Sequence, residues 1–219
     1  MRSRGECIPV TKIYLKGAVM FDDVRNFFVE NVLQNYDEFV EEQLKATAGQ
    51  STDLRRAMNA AVSLSHLRER IPPPNQRKHD EIVGLCPDYA LVRDIADAYK
   101  HENVGRKSAI LVTSKSLSEQ VVISEHKDAG GLFRIATKRI VATLSDGTTR
   151  EVGEVFLNVL NFWIEELDRL GIISIQKRNP PVPRIPVRGN EDGAANLDLS
   201  MRKGERFRLG VVLKKSNDK

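Results

Sequence analysis

Apolar residues recur at three- and four-residue steps from Phe21 through Val24, Phe28, Val32, Tyr36 and Phe39 to Val40. That spacing lays one hydrophobic stripe along about five and a half helical turns. It predicts a long first helix that Gly49 stops. Ser51-Thr52-Asp53 offers N-cap chemistry for a second helix running to Arg70. Leu54, Ala57, Met58, Ala61 and Leu64 form its apolar arc, and the small alanines permit close approach of a neighbouring helix. Pro72-Pro73-Pro74 ends it, because proline lacks the amide and collides with the preceding turn. A short helix over 76–85 follows. Pro87 then suits the first turn of another helix reaching His101. Ahead of all these, Ile8, Val10, Ile13 and Leu15 partly alternate, predicting a strand within 8–19.

Beyond Gly105 the period changes. Ala109–Thr113, Gln120–Ser124 and Leu132–Leu144 are rich in β-branched residues, and Asp146-Gly147 and Gly130-Gly131 are tight-turn pairs. Three or four antiparallel strands are expected. Phe156, Val159, Leu160, Trp163, Leu167 and Leu170 then mark a closing helix over 154–170, with Gly171 as its stop. The fold class is therefore α+β: an N-terminal helical bundle, a small antiparallel sheet, a closing helix, and an extended basic C-terminal tail. The domain division places a globular body at 1–175 and a proline-rich tail at 176–219.

Charge sharpens that division. The 219 residues carry a formal net charge of +4. Residues 176–219 hold eleven Lys/Arg against five Asp/Glu, leaving the body at −2. A polyanionic partner should meet the tail first. No apolar run reaches the ~18 residues of a membrane span. Lys12 and Lys16 interrupt the stretch after the basic start, so no export signal is expected. Cys7 and Cys86 lack metal or redox spacing and read as reduced thiols in the cytoplasm. Cys86 stands at a helix entry, where a helix N-terminus can activate a thiol, but a small buried hydrophobe is the plainer reading.

The segment with most candidate chemistry is Pro87–His101. Leu91, Val92, Ile95, Ala98 and Tyr99 share one side of that helix, and Arg93, Asp94, Asp97, Lys100 and His101 the other. An imidazole beside carboxylates and cations can perform acid–base chemistry and stabilise a developing phosphate charge. The plain alternative is a solvated polar face. His66 belongs to a polar strip on the preceding helix with Asn59, Ser63 and Arg70, and would join His101 if the strips met. Arg68 falls within an apolar arc and calls for a carboxylate such as Asp94 or Asp97, unless it reaches water from the helix end. Asp94, Asp97 and His101 have ligand spacing on one helix, but without a second cluster no metal is expected. Glu125-His126-Lys127 after a strand has the Glu-x-Lys spacing of metal-dependent nucleases, but no Asp stands on an adjoining strand in an obvious way, so a surface turn is expected. The glycine loop, zinc-protease helix and nucleophile elbow are absent from the sequence, and no cofactor is expected.

In the tail, Pro180, Pro181, Pro183 and Pro186 favour a polyproline conformation flanked by Arg184 and Arg188. That suits an aromatic groove, a phosphate backbone or a stiff linker. Arg202, Lys203, Arg206 and Arg208 surround Phe207, a basic patch with one stacking ring. It fits single-stranded RNA and an acidic protein partner equally. Arg206–Leu213 can form a strand that docks elsewhere.

Two stretches carry a resemblance: Ala57–Arg68, with Leu64-Ser65-His66-Leu67-Arg68, and Cys86–His101, ending Arg93-Asp94-Ile95-Ala96-Asp97-Ala98-Tyr99-Lys100-His101. Over about residues 50–105 the chain resembles a group of bacterial and phage-borne proteins. More distantly, its Arg upstream of a His resembles HEPN domains. The resemblance implies a metal-independent ribonuclease of a toxin–antitoxin or phage-defence system, often a homodimer. Arg93 and His101 would be the catalytic pair, and Asp94 their polar neighbour. Seven residues stand between Arg93 and His101, where HEPN nucleases have four to six. Two function classes follow. One is a non-catalytic binding or assembly protein acting through its basic tail. The other is a HEPN-like nuclease using Arg93 and His101.

Overall fold

The structure is a computed structural model, and it describes residues 16–45, 50–101, 104, 109–111, 113–128, 131–181 and 212–214. The expected long first helix is present as α1 (Lys16–Phe27), a π-helical stretch (Phe28–Leu33) and α2 (Gln34–Lys45) in unbroken succession. Val24, Phe28, Val32 and Tyr36 are all buried and stand four residues apart. In a regular helix each four-residue step overshoots the stripe by about 40°. A π turn takes more residues per revolution, so the stretch over 28–33 swings Val32 and Tyr36 back onto the core. The strand expected within 8–19 is corrected over its described part: Lys16 onward is helical, continuous with the stripe that starts at Val24. Residues 8–15 lie outside the described residues.

Helix α3 (Gln50–Arg70) begins before Ser51, so Asp53 is a first-turn residue and not the cap. Ala57, Ala60 and Ala61 are fully buried, and these small side chains let α2 and α5 lie close against α3. The short helix α4 spans His79–Leu85, later than expected, because Gln76 and Arg77 are drawn onto the end of α3. Gln76 donates to the Arg68 and Ile71 carbonyls, and the Arg77 carbonyl accepts from Arg68 Nε at 2.7 Å. Helix α5 (Asp88–Lys100) follows Pro87. At the centre, Trp163 Nε1 donates to the Leu64 carbonyl at 2.9 Å, and the ring meets Tyr89 edge-on. Both polar tips of these large rings are thereby satisfied, since Tyr89 Oη donates to the Ser65 carbonyl at 3.2 Å.

The expected antiparallel sheet is formed by β1 (Leu117–Asp128), β2 (Gly131–Thr143) and β3 (Thr149–Glu151). β1 and β2 pair in register from Leu117↔Ala142 to Asp128↔Gly131. The Asp146-Gly147 turn joins β2 to β3: Gly147 has φ +83°, and Asp146 Oδ1 accepts from the Thr148 amide and hydroxyl. Those bonds lower the Asp146 carboxyl below its ordinary value. A fourth strand, β4 (Val212–Lys214), lies parallel to β1 with Val122↔Val212, giving the order β3-β2-β1-β4. The sheet is thus antiparallel with one parallel edge; of the strand expected over Arg206–Leu213, Val212 and Leu213 lie in β4, and residues 206–211 lie outside the described residues.

Ala109–Thr113 was expected as a strand, and its described part is not one beyond a single bridge at Thr113. The amides of Ile110 and Leu111 bind the Asp94 carboxylate, and the Ile110 carbonyl accepts from Ser145. A side chain has taken the donors a partner strand would use. The closing helix α6 (Val152–Arg169) buries ten of its residues and ends as expected at Gly171, φ +68°. Ile172 donates to the Leu167 carbonyl and Gly171 to that of Asp168, the paired bonds of a Schellman cap. Beyond Ile172 the chain leaves the core, and residues 174–181 are exposed.

Candidate functional site

Two places gather the candidate residues: the face of α5 and the root of the tail. The α5 face is not uniformly polar. Asp94 stands one turn from Leu91 and Ala98, and all three are buried, with Asp94 2% exposed. Its Oδ2 accepts from Ile110 at 2.6 Å and from Leu111 at 3.0 Å. Asp94 therefore fastens the connection after α5 and does not sit on an open face beside Arg93 and His101. Arg93 and Asp97 are half-buried, and the Arg93 charge acts on the Tyr89 hydroxyl. Burial pushes that hydroxyl up to about 12. His101 is exposed, and its amide closes α5 on the Asp97 carbonyl at 3.0 Å. Lys100 ends α5, and its side chain lies outside the described residues.

Helix geometry then separates the groups. Arg93 and His101 are eight positions apart, about 12 Å along the axis. His66 adjoins Ser65, whose carbonyl holds Tyr89, so it sits at the start of α5. His101 lies at the far end, about 18 Å of helix rise away. The structure does not bring His66 and His101 into one groove. Arg68 is corrected as well. It is half-buried and bonds to the Arg77 carbonyl, not to Asp94 or Asp97. The Cys86 thiol is pushed up by burial and by Asp88, as befits a small core residue. Among the described residues no group of three His, Cys, Asp or Glu could hold a metal ion.

The tail leaves from a built anchor. Asn161 on α6 faces Arg178 like a strand partner: its Nδ2 donates to the Arg178 carbonyl at 3.0 Å, and its Oδ1 accepts from the Arg178 amide at 2.8 Å. The Arg178 guanidinium reaches Asp37 of α2 at 3.4 Å, and Lys177 pairs with Glu165. The first two tail cations are therefore spent on the body, and the segment after Pro181 starts from a fixed point. Arg184, Arg188, Arg202, Lys203, Arg206, Phe207 and Arg208 lie outside the described residues.

Sequence reasoning missed a third place, between α3 and the sheet. Leu117, Val121, Ile140 and Ala142 line the inward face of β1 and β2, and Glu119 and Lys138 occupy positions of the same alternation. Lys138 Nζ meets Asp53 Oδ2 and Glu119 Oε1, each at 3.0 Å. The three side chains are 1–7% exposed. Burial raises the Asp53 carboxyl most, Lys138 opposes and Glu119 reinforces, leaving it at about 7. Burial alone would lower Lys138, but its two carboxylates outweigh that and raise it. The available signal was a charged residue at an inward strand position; Asp53 had been absorbed by its capping role.

No helix among the described residues is long and apolar enough to cross a membrane. Set against family models, curated proteins and solved structures, the chain finds no match in any of the three.

Proposed function

We propose that this chain is a non-catalytic binding or assembly protein whose helical body presents a basic C-terminal segment to an acidic partner, with RNA as the partner class to test first. The observation that supports it is the anchor at Arg178. Two hydrogen bonds between the Asn161 side chain and the Arg178 backbone, one donated and one accepted by Asn161, and ion pairs to Asp37 and Glu165 fix where the segment departs. A tethered basic segment gains local concentration and direction from such a root. The spread of Arg93 and His101 along α5, and the use of Asp94 to hold backbone, favour this reading over a HEPN-like nuclease in the cytoplasm.

The test keeps the full chain and replaces Arg184, Arg188, Arg202, Lys203, Arg206 and Arg208 together by glutamine. Binding to a labelled poly-uridine 30-mer should weaken at least about tenfold at moderate salt, and the salt dependence should flatten, because each neutralised phosphate contact adds to the slope. Phe207→Ala alone should weaken binding less, by the loss of one stacking ring. Equal binding by the six-fold variant refutes the role of the tail. RNA cleavage that disappears in His101→Ala would instead establish the nuclease reading.

A further inference from the structure

We infer that the Asp53–Lys138–Glu119 cluster is a proton-operated latch that holds the β1–β2 hairpin on helix α3. The geometry is unlike that of an ordinary buried ion pair. Two carboxylates from different elements face one ammonium, beside the buried Leu117, Val121, Ile140 and Ala142 of the inward sheet face. Asp53 Oδ1 and Glu119 Oε2 are buried and accept no hydrogen bond among the described residues. With all three groups charged, the site keeps one surplus negative charge and two unmet oxygens away from water, a costly arrangement. One proton shared by the carboxylates removes the surplus and supplies a donor.

Two neighbouring cations among the described residues are engaged elsewhere. Arg56, one turn further along α3, is paired with Glu38 of α2. Arg139, next to Lys138 on the opposite face of β2, is paired with Glu151 at the end of β3. The charges that act on Asp53 are those of Lys138 and Glu119. The direction follows from linkage. A carboxyl that binds its proton more tightly in the docked state adds stability that is complete below 3.8 and is lost as pH rises to about 7. The latch is closed when protonated and loosens towards neutral and alkaline pH. Because β1 also carries β4 at Val122↔Val212, loosening the hairpin bears on the far end of the basic segment as well.

Amide hydrogen exchange of the full chain, corrected for intrinsic rates, is the test. Between pH 5 and pH 7 the protection of amides around Glu119 and Lys138 should fall by up to about tenfold per pH unit, the limit for one proton. Amides in the middle of α6 should change much less. Asp53→Asn mimics the protonated acid and should remove the slope, keeping the hairpin protected at pH 8. Glu119→Gln serves the same purpose should Asp53→Asn fail to fold, and loss of the slope in either variant supports the latch. A slope that survives both substitutions, a wild-type hairpin without a slope, or an equal slope in α6 overturns it.

Discussion

Glu166 and Asp53 are both buried carboxylates that cross-link separate parts of the molecule, and they stand in opposite electrostatic states. Glu166 receives two guanidinium groups: Arg77 and Arg169 each approach with two nitrogens, at 2.7–3.2 Å. Burial works against its charge, but the two arginines outweigh it, and the carboxyl is held below its ordinary value. Asp53 shares a single lysine with Glu119, and its carboxyl is pushed up. Burial is common to both. The number of cations per carboxylate, two in one place and one for two in the other, decides which site keeps its charge. A saturated carboxylate pins α6 to the chain before α4. An undersupplied one leaves the joint between helices and sheet sensitive to protons.

The strongest way to break the comparison is to remove the lysine. Lys138→Met leaves two buried carboxylates without a cation, and truncating one partner of a buried charged group costs about 3–5 kcal/mol. We expect urea unfolding to show a loss of that order at pH 8 and a smaller one at pH 5, where a carboxylic acid is tolerated. A loss independent of pH would mean that Lys138 matters only for packing.

Next in size is Glu166→Gln, which strands Arg77 and Arg169 at once. Arg169 is half exposed and water recovers part of the interaction, so about 1–3 kcal/mol is expected. The sign of its pH dependence is the reverse of Asp53's. A depressed carboxyl contributes stability above its unfolded value, near 4.5, and that contribution is lost as pH falls through the lower folded value. Wild-type stability measured from pH 3 to pH 8 should therefore pass through a maximum between the two limbs. Glu166→Gln should flatten the acid limb alone, and Asp53→Asn the limb towards neutrality alone.

These two sites also mark how far the sequence could be read. The apolar stripe from Val24 to Phe39, the Asp146-Gly147 turn and the Gly171 stop are local features, and each appears where its chemistry requires. Asp94 and Asp53 were misread for one shared reason. On a helical wheel Asp94 falls among polar neighbours, and at a helix start Asp53 has the composition of a cap. Their actual partners, the amides at 110–111 and Lys138 on β2, are 16 to 85 positions away. Nothing local encodes such a meeting. The π stretch at 28–33 was legible in principle, because three successive four-residue steps cannot remain on one face of a regular helix. The tail root was hidden differently, since an Asn on α6 and the backbone of an extended segment carry no motif.

A third test moves to that root. Asn161→Ala removes both bonds to the Arg178 backbone but leaves the ion pairs to Asp37 and Glu165 in place. Two neutral hydrogen bonds at an exposed site contribute about 1 kcal/mol together once water replaces them. Global unfolding should barely move. Exchange of the Arg178 amide should accelerate about fivefold, and affinity for the poly-uridine 30-mer should drop two- to threefold if a directed exit matters. Unchanged affinity with faster exchange would make the segment a free tether, and the proposal would then rest on charge alone.

An equally small effect is expected at Gly147. Its φ of +83° is one that side-chain-bearing residues resist, although nothing lies within 4 Å of an added Cβ. Gly147→Ala should therefore cost about 1 kcal/mol through backbone strain with no clash. The position matters for the comparison because the turn leads from β2 into β3 and α6, the stretch that connects the proton-sensitive joint to the saturated one. If strain at this turn spreads into the sheet, exchange around Lys138 will rise at pH 5 as well as at pH 7. If the α3 interface holds the hairpin independently, only the amides of residues 144–151 will respond, and the latch will keep its own pH dependence. The second outcome is expected, because Lys138 is tied to α3 and to β1 by bonds that do not pass through the turn.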